Sequence, residues 1–275
     1  MIEIPEAATI SKQMEATVLQ QTITNVIVNA SPHKFAFYFG DPDRYPNRLL
    51  HKKILNVEAI AGFIRITCDN LRLLYNDGVN IRFLAVGDPI PQKHQMLIQL
   101  EDQTSIVCTV QMYGGLWLFQ DQENENPYYL SAMEKPSPLS DAFDFAYFQK
   151  IFQNTKQTLS AKAFLATEQR IPGLGNGVLQ DILFNAQINP RSKIEKLSAG
   201  DLERLFSSLK NTLMTMTELG GRNTEKDFFG RSGGYQTRLS SMTYQNPCPV
   251  CGNQIIKQAY LGGSVYFCPV CQPEA

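Results

Sequence analysis

Four of the six cysteines stand in two CxxC pairs, Cys248-Pro-Val-Cys251 and Cys268-Pro-Val-Cys271, with 16 residues between the pairs. A CxxC knuckle presents two thiolates to one ion, and two knuckles at this separation fit the four-cysteine zinc pattern. Four sulfurs close a tetrahedron and leave no position for water. The expected cofactor is therefore one structural Zn2+ held by Cys248, Cys251, Cys268 and Cys271. The stretch between the pairs, GNQIIKQAYLGGSVYF, alternates apolar positions about Leu261-Gly262-Gly263 and reads as a β-hairpin. A redox-active CxxC, or a set of free thiols, is the competing reading of these four residues. Cys68 in GFIRITC and Cys108 in TSIVCTV read as buried, inert thiols.

Such a hairpin uses little chain, and 275 residues with 43% hydrophobic content leave room for about two domains with cores of their own. IPEAATISKQMEATVLQQ reads as an opening helix. After it TITNVIVNA, FAFYF, KILNVEAI, GFIRITC, LRLLY, NIRFLAV, QMLIQLE, TSIVCTV and LWLF read as short strands, parted by turns such as Asn76-Asp77-Gly78 and Glu101-Asp102-Gln103. That spacing predicts a β-sandwich or barrel. Strand alternation predicts that Phe35, Phe37, Tyr38 and Phe39 pack inward rather than form a stacking platform. The polar DQENENPYYLSAMEKPSPLSD reads as a linker, and helices follow over FDFAYFQKIFQN, SAKAFLATEQ, NGVLQDILFNAQ and SAGDLERLFSSLKNTLMTMTEL, the last capped by Ser198 and Asp201. The expected fold class is α+β in two domains: a β-sandwich over residues 1–125, a linker over 126–145, a helical domain over 146–240 and the zinc hairpin over 241–275.

The balance of 25 Lys+Arg against 26 Asp+Glu speaks against a nucleic-acid partner, because phosphate binding draws on basic side chains that release counterions. Position changes this. Residues 1–150 hold 12 basic and 17 acidic side chains, residues 151–275 hold 13 and 9, and a basic half can be an electrostatic footprint. The chain has no apolar run of about 18 residues, and MIEIPEAATISKQME lacks the basic and apolar regions of a secretory signal. A cytoplasmic protein with no membrane partner is expected.

One turn in the helical half stands out. In Gln169-Arg170-Ile171-Pro172-Gly173-Leu174-Gly175-Asn176-Gly177, two glycines permit a tight backbone and Asn176 stands at a helix start, where free amides favour a phosphate. In order along the chain, MIEIPE, GGLWLF at 114–119, SPLSDAFD at 137–144, Lys162, Gly173-Leu-Gly-Asn176 with ILFNAQINP, Gly220-Gly221, Asp227-Phe228, Gly234-Tyr235, Tyr244 and the four cysteines resemble the formamidopyrimidine-DNA glycosylase and endonuclease VIII family. The resemblance covers nearly the whole chain. It implies a helix–two-turn–helix within the helical domain and a monomer that binds double-stranded DNA, damaged or not, in a cleft between two domains. A target nucleotide is flipped out there because a stacked base shields its glycosidic carbon. By resemblance Lys162, Gly175 and Asn176 contact DNA phosphates, Glu3 manages protons, and an N-terminal amine attacks the sugar to form a Schiff base.

The departures lie where that chemistry sits. Ile2 replaces the nucleophilic proline, and a bulky second residue leaves Met1 in place, so the Met1 amine is one residue away from the family's position. The family's cleft lysine falls on Gly62 and its Met wedge on Val79. Its Asp-Pro-Arg-Arg-Phe-Gly segment becomes Thr109-Val110-Gln111-Met112-Tyr113-Gly114, and its hairpin arginine falls on Gly263. Three readings follow. The first is a DNA-binding relative with weakened or lost chemistry. The second is an active DNA N-glycosylase and abasic-site lyase using Met1, Lys52 or Lys53, or using Glu3 to activate water. The third is a protein scaffold that has left DNA.

Overall fold

A computed structural model describes residues 1–275 apart from the side chain of Asp77. The chain divides into two compact units, Met1–Leu130 with Gly220–Gly234, and Ser131–Leu219 with Tyr235–Ala275.

The first unit opens with α1 (Ile4–Val18). Glu3 stands at its N-cap with Pro5 in the first turn, and the Glu3 backbone N–H donates to Glu6 Oε2 at 3.2 Å. Ala7, Ile10, Met14 and Val18 recur at helical spacing and all enter the core. The strands are β1 (Ile23–Val28), β2 (Ala36–Tyr38), β3 (Asn56–Ile60), β4 (Phe63–Cys68), β5 (Leu71–Leu84), β6 (Met96–Leu100) and β7 (Ser105–Gln120), with a short α2 (Tyr45–Leu49) after β2. They form one sheet in the order β1-β6-β7-β5-β4-β3, antiparallel throughout, and β2 adds to β7 in parallel.

The turn expected at Asn76-Asp77-Gly78 is instead a bulge inside the single strand β5, and TSIVCTV and LWLF likewise join in β7. The two long strands pair along both halves with a register shift between Asp77 and Val79. Gly78 is required there, since a Cβ would lie 2.1 Å from the Tyr113 carbonyl oxygen. Asn76 Oδ1 accepts from Gly115 N–H at 2.6 Å, so a turn-forming residue here bends a strand without ending it. Both halves of the bent sheet face one core with α1: Val57, Ile66 and Leu73 from one side, Val26, Ile98 and Ile106 from the other. Cys68 and Cys108 are buried in this core, and burial pushes both thiols up to about 12, which leaves them unreactive. The inward packing expected of FAFYF holds for Tyr38 and Phe39, against Tyr45 and Phe119, but Phe35 and Phe37 are exposed because β2 is a three-residue edge strand.

The segment 126–145 expected as a linker contains α3 (Pro127–Glu134), within which the first unit ends at Leu130. The second unit is helical, with α4 (Phe145–Gln153), α5 (Ala161–Ala166), α6 (Asn176–Asn185) and α7 (Ala199–Glu218). Asp144, Ser160 and Ser198 cap α4, α5 and α7. The hairpin β8 (Ile256–Tyr260) and β9 (Gly263–Phe267) turns through Leu261-Gly262, two of the three residues at which the sequence places the turn, and Gly263 already pairs with Tyr260 in β9. Phe184 of α6 and Leu239 pack with Ile255 and Tyr266 beneath the cysteines. The segment Gly220–Gly234 follows α7 in sequence but groups with the first unit. Among the described residues no helix is long and apolar enough to cross a membrane.

Candidate functional site

The first unit gathers its charged side chains at the start of α1. Arg222, a residue sequence reasoning passed over, is 3% exposed and reaches both carboxylates of the first turn. Its Nε donates to Glu6 Oε1 at 2.9 Å and its Nη2 to Glu6 Oε2 at 2.8 Å, while its backbone N–H reaches Glu6 Oε1 at 3.1 Å. Nη1 lies 3.5 Å from Glu3 Oε1, and Nη2 donates to the Met1 carbonyl at 3.3 Å. Burial pushes the guanidinium down, but Glu3 and then Glu6 more than reverse this and leave it above its ordinary value. The Met1 amino group pairs with the Glu225 carboxylate. Glu3 is itself buried, so the structure brings the expected proton-transfer residue into an ion pair within the protein.

A cavity of about 420 Å³ opens beside these groups, lined by Met1, Glu6, Arg82, Gln111, Glu225 and Asp227 among others. Val79, at the expected wedge position, is buried, and Gly62 lies in the turn between β3 and β4. Met112 is 68% exposed and Tyr113 stands beside it, partly exposed.

In the second unit, Gly173 at φ +76° turns the chain so that Gly175 caps α6 and Asn176 begins it. Asn176 and Lys162 both point to the hairpin turn. Lys162 is 3% exposed, and its Nζ donates to the Tyr260 carbonyl at 2.6 Å; burial holds its pKa below the ordinary lysine value. Asn176 Nδ2 donates to the Ser264 carbonyl at 2.9 Å, and its Oδ1 is buried without a partner among the described residues. Gln180, which carried no sequence signal, also donates to Ser264 O at 3.1 Å and accepts from Tyr266 N–H at 3.0 Å. Gly263 faces this group, where a Cβ would touch Asn176 Nδ2 at 3.4 Å.

The four hairpin sulfurs lie within 4.8 Å of one another. Cys248 and Cys271 are 3.8 Å apart and Cys251 and Cys268 are 3.4 Å apart, close to the edge of about 3.8 Å that four sulfurs at about 2.3 Å from one ion would have. These approaches join one CxxC to the other, which suits a shared ion and not a disulfide within each pair. Backbone and side-chain amides of Asn253 hold the Cys251 thiol down to about 6, and Cys271 N–H donates to Cys268 Sγ at 3.4 Å. The donor set is one that can bind a metal.

These features can be set beside known proteins. The family model "Formamidopyrimidine-DNA glycosylase H2TH domain" matches residues 135–227. The formamidopyrimidine-DNA glycosylase of Thermus thermophilus is 29% identical over 100% of this chain and 99% of its own. The crystal structure of the MutM (Fpg) protein from the same organism superposes with a TM-score of 0.82 at 26% identity, covering 99% of each chain. The Lactococcus lactis Fpg, solved in complex with DNA containing an abasic site, gives a TM-score of 0.84 at 23% identity over 99% of this chain and 100% of that one, a likeness of fold. The helical match, the end-to-end likeness in sequence and fold, and the clustered cysteines all agree with the resemblance of this chain to the formamidopyrimidine-DNA glycosylase and endonuclease VIII family.

Proposed function

We propose that this protein binds duplex DNA, damaged DNA included, and that its glycosylase chemistry is weakened or lost. One observation carries this reading. Glu3 is paired with Arg222 and the Met1 amine with Glu225, whereas Lys162 is a buried cation that, among the described residues, faces a neutral carbonyl and no carboxylate. Groups that would move protons are neutralised internally, and the group that would meet a phosphate has an unmet charge. Lys162, with Asn176 and Gly175 at the N-terminus of α6, would take phosphate oxygens, as the family resemblance implies. Cys248, Cys251, Cys268 and Cys271 would hold one Zn2+, which supplies rigidity and no open coordination position. Exposed Met112 and Tyr113 offer an apolar wedge for a base step. The buried free thiols suit the reducing cytoplasm.

Two measurements test the proposal. Fluorescence anisotropy with intact and abasic duplexes at increasing salt is expected to show binding that weakens steeply, and salt-insensitive affinity would sink it. Borohydride trapping on an abasic duplex is expected to capture no covalent complex. The second reading, an active enzyme with another nucleophile, is favoured by the Met1 amine at the rim of the cavity beside Glu225. Covalent capture that maps to Met1 would establish it.

A further inference from the structure

Arg222 is closed to solvent, and a site is built around it. The fork of its guanidinium lies bidentate on Glu6 with Glu3 on the remaining nitrogen, an arrangement that holds arginine by geometry as well as charge. The backbone is shaped to admit it. Gly221 at φ +92° carries the chain onto Glu6, and Gly233 closes the neck of the loop, where a Cβ would lie 2.2 Å from the Gly221 carbonyl oxygen. The rest of the loop is fastened too. Asp227 Oδ1 accepts from the N–H groups of Phe229 and Arg231, its Oδ2 accepts from Gln13 of α1, and Phe228 is in the core.

We propose that Arg222 converts the N-terminal carboxylates into a charged anchor for the loop Gly220–Gly234, so that Glu3 serves as a counter-ion and not as a proton carrier. This rests on the reading of weakened chemistry and supplies a cause for it. A carboxylate moves protons at a reacting atom only by changing its charge, and a buried guanidinium against it opposes that change. The charged groups facing Arg222 are Glu3 at the N-cap of α1, Glu6 within α1 and Glu225 from its own loop, with the Met1 amino group on Glu225; Lys226 and Asp227 line the same crevice.

Full-length wild type, R222M and R222K would be unfolded in urea at pH 5 and pH 8. Arg222→Met leaves two buried carboxylates without the guanidinium, so burial then opposes their ionisation. Stability from such groups is present at low pH and lost as pH rises through the folded pKa. The gap between wild type and R222M midpoints should therefore widen from pH 5 to pH 8, and R222K should remove part of the widening. An equal gap at both pH values overturns the proposal. If R222M does not fold, NMR of the wild type decides. An arginine Nε–H exchanging at least about tenfold more slowly than exposed ones at pH 8, and shifted in Glu6→Gln, is expected. The lack of such a signal overturns the proposal. Duplex affinity is read separately: DNA binding with an equal gap removes the anchor and keeps the function, and a widening gap without DNA binding does the reverse.

Discussion

Arg222 in the first unit and Lys162 in the second are equally buried, and their surroundings differ in charge. Arg222 meets two carboxylates, and its proton is held more tightly than usual. Lys162 meets the Tyr260 carbonyl and, among the described residues, no carboxylate, and burial loosens its proton. A buried cation with its counter-ions is compensated and marks a structural joint. One without them retains a desolvation cost that an arriving anion would relieve. The compensated cation lies against the N-terminal end of the chain, and the uncompensated one lies beside the hairpin. The comparison also changes the meaning of the charge split. Gly220–Gly234 belongs to the first unit, which gives that unit 13 basic and 16 acidic side chains and the second 12 and 10. Two of the cations in the basic half of the sequence are internal.

The largest effect should come from removing a metal held by the four clustered cysteines. The apolar cluster beneath the cysteines is small, and a structural zinc supplies on the order of 10 kcal/mol of folding free energy in small fingers. Chelation, or Cys268→Ala, is expected to disorder the hairpin, take away the Tyr260 carbonyl, and lower duplex affinity by about 100-fold or more. Metal content and anisotropy measure this, and unchanged affinity after demetallation would remove the hairpin from the site. The corresponding break in the first unit is Glu6→Ala. It removes the bidentate partner of Arg222, leaves Glu3 as its remaining salt-bridge partner, and should cost about 3–5 kcal/mol in urea unfolding, with metal content unchanged. A cost below about 1 kcal/mol would mean that Arg222 is not a compensated joint.

What was legible in the sequence was local. The CxxC spacing, the Ser198–Asp201 cap and the Leu261-Gly262 turn each depend on residues a few positions apart, and each stands in the structure as expected. Asn76-Asp77-Gly78 misled because bulges and turns use the same residues, and only the strand opposite decides between them. Arg222 was silent because Glu3 and Glu6 lie more than 200 residues away in sequence. Its one available signal was a charged residue directly after two glycines. Lys162 and Asn176 were found by resemblance, but their inward bonds to Tyr260 and Ser264 needed the hairpin in place.

Gly263→Arg sharpens the comparison from the hairpin side. A Cβ there makes only ordinary contact with Asn176, so the side chain can be carried without moving the turn. One added phosphate contact should raise duplex affinity about tenfold and steepen the salt dependence by about one unit of slope. Anisotropy at several salt concentrations reads both, and no change in slope would place the turn away from the duplex.

The smallest effect, and the one most specific to the comparison, is expected of Lys162→Met, because stability and binding should move in opposite directions. A folded pKa below the unfolded value means that the protonated lysine costs stability, and that the cost fades as pH rises above the folded pKa. Methionine fills the space of the stem without the charge, so Lys162→Met should match or exceed wild type by up to about 1 kcal/mol at pH 7. That advantage should shrink toward pH 10. Its duplex affinity should fall about tenfold, with the salt slope reduced by about one. If stability falls with affinity, Lys162 is a structural joint like Arg222 and the contrast between the units disappears. If affinity alone falls, the buried ammonium is kept for the phosphate it meets.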